Sequence, residues 1–103
     1  MNVFLSPIAE RKIELLLEFI EIEWSKKAKN TFLEKFKKAV KTISNQPKSF
    51  PESNALKGLH KCVVSKQTSF YYRIVNEEIE IITLIDNRQN PKEVLKELKS
   101  YFA

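Results

Sequence analysis

Three residues in the second half of the sequence could together supply one aromatic ring and two positive charges: Tyr71, Lys61 and Arg73. Tyr71 and Arg73 lie two residues apart on a predicted strand, so they share one of its faces. An aromatic group beside cations suits RNA, through base stacking and phosphate binding, and it suits a bound peptide equally well. Ordinary packing between strands produces the same pattern, so the residues alone leave all three interpretations open.

Arg88 is a fourth candidate, within the polar segment 86–91. The segment follows the most apolar predicted strand and precedes a predicted helix, and functional groups are often found on loops that rigid elements support. Asn90 and Pro91 have a structural explanation as the N-cap and first residue of that helix. Arg88 has no such local explanation, which makes it a candidate for binding or catalysis.

His60 and Cys62 are predicted to be an ordinary strand pair. They share a strand face, but a Cys–His nucleophile needs hydrogen-bond contact and an orienting third group. Side chains two apart on one strand rarely meet in that way. The chain has one Cys and one His, which excludes an internal disulfide framework and argues against a Cys/His zinc site. Its one Gly excludes the glycine-rich phosphate loops. We therefore expect no cofactor and no metal.

Charge points to acidic partners. Eighteen Lys and Arg against 13 Asp and Glu give a net charge of +5, which favours nucleic acid, ribosomes or an acidic protein segment. Eight lysines fall between Lys26 and Lys48 against one acidic residue, Glu34. This segment is either an electrostatic footprint for such a partner or a solvated helix face.

The 103 residues are expected to form one domain, residues 1–103. The N-terminal stretch lacks the features of a signal peptide, and no apolar run is long enough to cross a membrane. A cytoplasmic protein without a membrane partner is therefore expected.

The order of elements predicts an α+β fold. Residues 3–5 are a short strand, and Ser6 and Pro7 have the pattern of a helix start. Helical spacing then continues to residue 45, and we predict a helical hairpin with a break near 24–26, where Ser25 is an N-cap candidate. Residues 47–58 form a loop.

Three predicted strands follow, at 60–64, 68–75 and 79–85. Short turns join them, which predicts an antiparallel meander with the helices on one face. Pro91 opens a C-terminal helix, with Tyr101 or Phe102 as its last apolar position.

The first helix has more apolar surface than one stripe requires. Leu15, Phe19 and Ile22 widen the apolar face, so this helix is predicted to be covered on more than one side.

In this order of elements, the sequence resembles the RelE/ParE superfamily, the toxins of type II toxin–antitoxin modules, also called plasmid stabilisation proteins. The resemblance covers nearly the whole chain and rests on the order and spacing of four segments. These are the Ser6-Pro7 helix start and residues 56–59, 70–75 and 84–91. It implies a small antiparallel sheet packed on a helical hairpin.

The superfamily has two activities. RelE-like members cut mRNA in the ribosome with basic residues on the sheet, often with a Tyr, His or Glu, whereas ParE-like members bind DNA gyrase. Arg88 matches the Arg that follows the last strand in both branches, and residues 88–91 look more like the ParE-like ending. Ser69 stands near the place where many nucleases carry an Arg, and His60 is too early to match the late His of some nucleases.

The first hypothesis is thus a ParE-like toxin that inhibits growth by binding DNA gyrase and is neutralised by a cognate antitoxin, with which it can form a hetero-oligomer. The partner-binding candidates are Leu15, Phe19, Ile22, Arg88 and Gln89. A partly disordered antitoxin tail is expected to fold into a groove between the hairpin and the sheet.

The alternative is a RelE-like, metal-independent endoribonuclease with ribosome and mRNA as targets. Its catalytic candidates are Lys61, Tyr71, Arg73 and Arg88. A third interpretation is an inactive relative that only binds its antitoxin.

Overall fold

The computed structural model describes residues 1–53 and 56–101 and has the predicted α+β order. Residues 54 and 55 of the predicted loop, and Phe102 of the last helix, lie outside the described residues. The elements are β1 (Asn2–Leu5), α1 (Pro7–Glu23), α2 (Lys26–Asn45), β2 (His60–Val63), β3 (Thr68–Val75), β4 (Glu78–Asp86) and α3 (Pro91–Ser100).

Side-chain caps begin all three helices. Ser6 accepts a hydrogen bond from the Ala9 amide at the start of α1, and Ser25 accepts one from the Ala28 amide at the start of α2, each at 3.0 Å. Asn90 caps α3 in the same way. These oxygens satisfy amide groups that have no partner within the first turn. The predicted break between the two long helices, at residues 24–26, is confirmed.

The four strands form one sheet in the order β1-β4-β3-β2. The predicted antiparallel meander of β2, β3 and β4 is confirmed. Asn76 and Glu77 join β3 to β4 and have positive φ angles of 51° and 63°. A two-residue turn needs positive φ angles to match the twist of the two strands that it joins. β1 adds to β4 in parallel, so the first and last strands of the chain are neighbours.

An irregularity in β4 changes which side chains face which layer. The pairing shifts so that Tyr71 lies opposite Thr83 and Tyr72 opposite Ile81, which leaves Ile82 as an extra residue. Such a bulge turns two consecutive side chains to one face. Ile81 and Leu84 accordingly pack on the α1–α2 hairpin, while Ile82 packs on the opposite face.

Helices cover both faces of the sheet, so the prediction that they all lie on one face is wrong for α3. One core lies under the hairpin and includes Phe36, Phe70 and Tyr72. A second core, with Ile85 and Leu98, lies between the other sheet face and α3. The physical reason is that the second half of β4 is apolar on both faces, and one helical layer cannot keep both from water.

Lys12 of α1 joins the two layers at the edge of the sheet. Its Nζ donates to Thr83 Oγ1 at 2.8 Å and to the Leu84 carbonyl at 3.1 Å, and it pairs with the carboxylate of Glu97 on α3. The pairing of β1 with β4 ends at Ile81, so β1 does not cover the part of β4 that Lys12 contacts. Among the residues that the structure describes, no helix is both long and apolar enough to cross a membrane.

Phe70→Ala should destabilise the protein by about 3–5 kcal/mol, because it leaves a cavity in the hairpin core. Phe70 has no exposed surface, and its ring lies 5.9 Å from Phe36 and 6.0 Å from Tyr72 between centroids. Urea unfolding measures the change. Val63→Ala is the matched control, because Val63 lies on a strand but is 58% exposed. It should change stability by at most about 0.5 kcal/mol. Equal effects of the two substitutions would contradict the assigned core.

Candidate functional site

Lys61 and Tyr71 are brought together as predicted. They are cross-strand partners of β2 and β3 and line a cavity of about 340 Å³ between the sheet and the N-terminal half of α3. Asp86 and Gln89 line the same cavity. Burial raises the pKa of the Tyr71 phenol above its ordinary value of 10.0. At neutral pH, Tyr71 can therefore donate a hydrogen bond but is not a base.

Arg73 shares the sheet face with Tyr71 but opens into a different cavity. That cavity, of about 300 Å³, is lined by Ile8 and Tyr101 among others. The Arg73 Nε donates to the Glu80 carboxylate at 2.8 Å, across the β3–β4 pair. Arg73 is thus held beside a carboxylate and lines a different cavity from Lys61 and Tyr71.

Arg88 has a local partner that the sequence did not reveal, which corrects the prediction that nothing local explains it. Its Nε lies 3.0 Å from Asp86 Oδ1, and its Nη2 lies 2.7 Å from Asp86 Oδ2. The hydrogen bonds from Arg88 lower the pKa of the Asp86 carboxyl to about 2. The Arg88 side chain is still 73% exposed, so a partner can reach the pair from solvent.

Asn87 fixes the loop that carries Arg88. Its Oδ1 accepts from the Ser69 hydroxyl at 2.6 Å, and its Nδ2 donates to the Ser65 and Lys66 carbonyls at 3.3 and 3.1 Å. Ser69 has no exposed surface, so no long cationic side chain fits at that position without displacing this anchor. Sequence reasoning did not identify Asn87, because its partners lie about 20 residues earlier and are brought close only by the β3–β4 pairing.

His60 and Cys62 lie on the opposite face of the sheet from the cavity. The His60 ring stacks on Tyr72 at 5.1 Å, and its Nδ1 lies 2.8 Å from the Phe50 carbonyl. Cys62 has no exposed surface, and burial raises the pKa of its thiol to about 11. A thiol with such a pKa is not a nucleophile at neutral pH, so these residues are packing residues, as their spacing predicted.

Leu15, Phe19 and Ile22 are exposed, by 47%, 56% and 70% respectively. They lie on the outward side of α1, because Ala9 and Ile13 on the other side are buried in the hairpin core. The hairpin core fills the middle of the space between hairpin and sheet, and a cavity of about 330 Å³ remains at its margin, between α2 and β2. The expected antitoxin groove there stays a prediction, but Leu15, Phe19 and Ile22 do not line this cavity. The surplus apolar residues form instead a continuous helix face, which we call the α1 apolar face.

Within residues 1–53 and 56–101, no three or more side chains of His, Cys, Asp or Glu lie close enough together to hold a metal ion.

The family model that matches this sequence is the ParE toxin of the type II toxin–antitoxin system parDE, over residues 3–91. No curated protein matches the sequence significantly.

Three solved structures share the fold at low sequence identity. The chromosomal ParDE TA system from P. aeruginosa aligns with a TM-score of 0.68 at 13% identity, over 84% of this chain and 95% of that chain. A YoeB/ParE toxin from Agrobacterium tumefaciens aligns with a TM-score of 0.62 at 14% identity, over 84% and 99%. A YoeB dimer from Staphylococcus aureus aligns with a TM-score of 0.58 at 14% identity, over 86% and 98%. The similarity spans almost the full length of each of these chains.

Arg88→Ala should raise the pKa of the Asp86 carboxyl from about 2 towards 3.8, its value without a partner. The pKa is lower in the folded than in the unfolded state, so the pair stabilises the fold above about pH 4, and this contribution is lost as the pH falls towards 2. A carboxyl-carbon NMR titration measures the change.

Arg88→Lys is the control, because it keeps the charge and loses the planar fork. It should give an intermediate pKa. An Asp86 pKa that stays near 2 in Arg88→Ala would show that another group lowers it.

Proposed function

This chain belongs to the ParE toxin family of type II toxin–antitoxin systems, and on that premise we propose that it inhibits growth by binding DNA gyrase, without cutting RNA. A toxin of this family has a cognate antitoxin as its partner. The proposed contact with the target is the 86–91 loop, through Arg88 and Gln89. The observation that carries the proposal is the Arg88–Asp86 pair on a loop that Asn87 fixes in place.

A rigid, exposed and paired arginine suits binding better than catalysis. Asp86 holds the guanidinium in one orientation, so less side-chain freedom is lost when a partner docks. Arginine at the centre of an interface often contributes strongly to affinity. Gln89 is exposed beside it, and its backbone amide donates to the Asp86 carbonyl at 2.9 Å, so it is held by the same turn.

The arrangement of the four catalytic candidates argues against a nuclease. Cleavage through the ribose 2′-hydroxyl needs a base and cations gathered around one phosphate. Arg73 opens into another cavity beside Glu80, and Arg88 is held by Asp86. Asp86 is the carboxylate in the cavity, and with a pKa of about 2 it is a weak base at neutral pH.

One observation favours the second candidate function, a ribosome-dependent endoribonuclease. Lys61 and Tyr71 lie side by side in a cavity, where a cation can bind a phosphate and a phenol can donate a proton. Similarity in fold to YoeB structures is consistent with either branch, since at 14% identity it concerns the fold alone.

Purified toxin should abolish DNA supercoiling by gyrase in a gel assay and leave translation of a reporter mRNA intact. Arg88→Ala should weaken gyrase inhibition by about ten- to a hundredfold, since loss of a charge-assisted contact costs about 1.5–3 kcal/mol. Its growth inhibition should fall accordingly. The melting temperature should fall only slightly, because an exposed ion pair such as Arg88–Asp86 stabilises a fold by at most about 1 kcal/mol.

The matched control is Arg11→Ala, which removes another exposed arginine paired with a carboxylate, that of Glu14. It should leave gyrase inhibition unchanged. Cleavage of mRNA at ribosomal positions, with gyrase supercoiling unaffected, would contradict the proposal and show that the protein is a ribosome-dependent endoribonuclease. If the protein inhibits neither supercoiling nor translation but binds its antitoxin tightly, it is an inactive relative.

The α1 apolar face is the proposed antitoxin site. Its three members Leu15, Phe19 and Ile22 are 47–70% exposed in the isolated chain, and burial of such surface drives the folding of a disordered partner on binding.

The double substitution Phe19→Ala and Ile22→Ala should weaken antitoxin binding by about tenfold or more, because truncation of apolar anchors typically costs over about 1.4 kcal/mol. The fold should persist, since both residues are exposed and alanine favours helix. Titration calorimetry with the product of the adjacent short reading frame measures the affinity. Val63→Ala, an exposed apolar residue on β2, is the control and should have no effect. Unchanged affinity in the double variant would remove α1 from the interface.

A further inference from the structure

The outward side of α2 is a basic surface that the proposed gyrase and antitoxin contacts do not use. We call it the α2 basic face, and it consists of Lys26, Lys27, Lys37, Lys38 and Lys41, all of which are exposed. The opposite side of the helix, with Phe32, Phe36 and Ile43, is buried in the hairpin core. Because the core fixes the rotation of α2, these lysines must face solvent.

Charge is partitioned unequally along the chain. The segment from Lys26 to Lys48 contains eight lysines and Glu34, a net charge of +7, whereas the rest of the chain carries −2. Within residues 1–53 and 56–101, Lys29 is the one lysine of this segment in an ion pair, with Glu21 at 3.1 Å. Glu34 is exposed on the same side of the helix, three and four residues before Lys37 and Lys38, so it offsets one of the five positive charges. The face therefore presents a net charge of about +4 to solvent.

The placement of these charges disfavours the free helix. Lys37 and Lys41 are four residues apart and Lys38 and Lys41 three apart, so like charges repel along one side. Lys26 and Lys27 lie in the first turn, which contains no acidic residue, and they add to the positive end of the helix dipole. A bound polyanion relieves both repulsions.

The composition of the face identifies the kind of polyanion. No aromatic or apolar side chain interrupts the five lysines, and protein interfaces are typically centred on such anchors. Single-stranded nucleic acid would require a series of aromatic platforms for its bases, whereas the exposed ring of Trp24 stands only at one end of the face, before Lys26. Lysines without other recognition groups suit the phosphates of a duplex, which are contacted without reading the sequence.

We propose that the α2 basic face binds the phosphate backbone of double-stranded DNA, without sequence preference. The helix has 20 residues and so spans about 30 Å, the length of about nine base pairs at 3.4 Å each. α2 packs on one face of the sheet and α3 on the other, so duplex DNA and a protein bound at Arg88 do not compete for one surface. The inference goes beyond the proposed function and does not depend on gyrase.

The experiment measures binding of the purified full chain to a fluorescein-labelled 20-base-pair duplex by anisotropy between 50 and 200 mM NaCl, with no gyrase present. The variant carries Lys37→Gln, Lys38→Gln and Lys41→Gln. Glutamine has a helix propensity close to that of lysine, so α2 should stay folded, and circular dichroism checks this. The matched control carries Lys57→Gln, Lys96→Gln and Lys99→Gln, which lowers the net charge equally at exposed positions elsewhere.

The wild-type chain should bind with a steep salt dependence. The α2 variant should reduce the slope of log K against log salt by about 2.7, or 0.9 for each lost phosphate contact. The control should keep the wild-type slope. Emission from Trp24, the one Trp of the chain and 75% exposed beside the start of α2, should change on binding.

Three results would overturn the inference. Equal losses in the two triple variants would mean that net charge alone attracts DNA. Tighter binding to single-stranded oligothymidine than to the duplex would require a base-stacking surface elsewhere. Binding to polyglutamate with no measurable binding to the duplex would identify an acidic protein segment as the partner. Because no gyrase is present, each result is separate from success or failure of the gyrase proposal.

Discussion

Strand β4 is buried on both faces of the sheet from Ile81 to Ile85, and the rest of the molecule is arranged to keep water from it. Each large aliphatic side chain left exposed would cost about 1.5–3 kcal/mol. The hairpin therefore covers one face and α3 the other. β1 and β3 pair with β4 along its two edges, and Lys12 contacts it beyond the end of β1.

The same constraint positions the 86–91 loop, the proposed contact with the target. β4 ends at Asp86, so the next residues leave the sheet at a point that the two cores hold rigid. Asn87 ties this exit to the β2–β3 turn, and Asn90 starts α3 by capping it. Arg88 and Gln89 are left between two fixed points, which explains how a short polar loop presents an ordered arginine to solvent.

The surfaces on the two sides of the sheet have different chemistry. The α3 side has a loop with a paired arginine and a protonated phenol beside a lysine. The hairpin side has an apolar helix face on α1 and a basic one on α2. Since α1 and α2 each bury one side in a shared core, their outward sides are free to differ without affecting the fold. One small domain can thus present separate surfaces to several partners.

The sequence by itself determined the elements and their order. Local signals did this: Ser6, Ser25 and Asn90 as caps, and alternation along β3. Each depends on neighbours within about four residues and needs no tertiary contact. The adjacency of Lys61 and Tyr71 was also predictable, because a short connection between antiparallel strands fixes which faces meet.

Only the tertiary structure decided how the site is assembled. The bulge at Ile82, the second layer formed by α3 and the Lys12–Glu97 pair each join residues that are distant in sequence or depend on a shift of register. Asp86 and Arg88 are near in sequence, but a pair two residues apart meets only when a turn brings the side chains together. Local patterns therefore predicted which residues are candidates. Packing across the two faces of β4 decided which of them meet, because burial of that strand fixes where every neighbouring element lies.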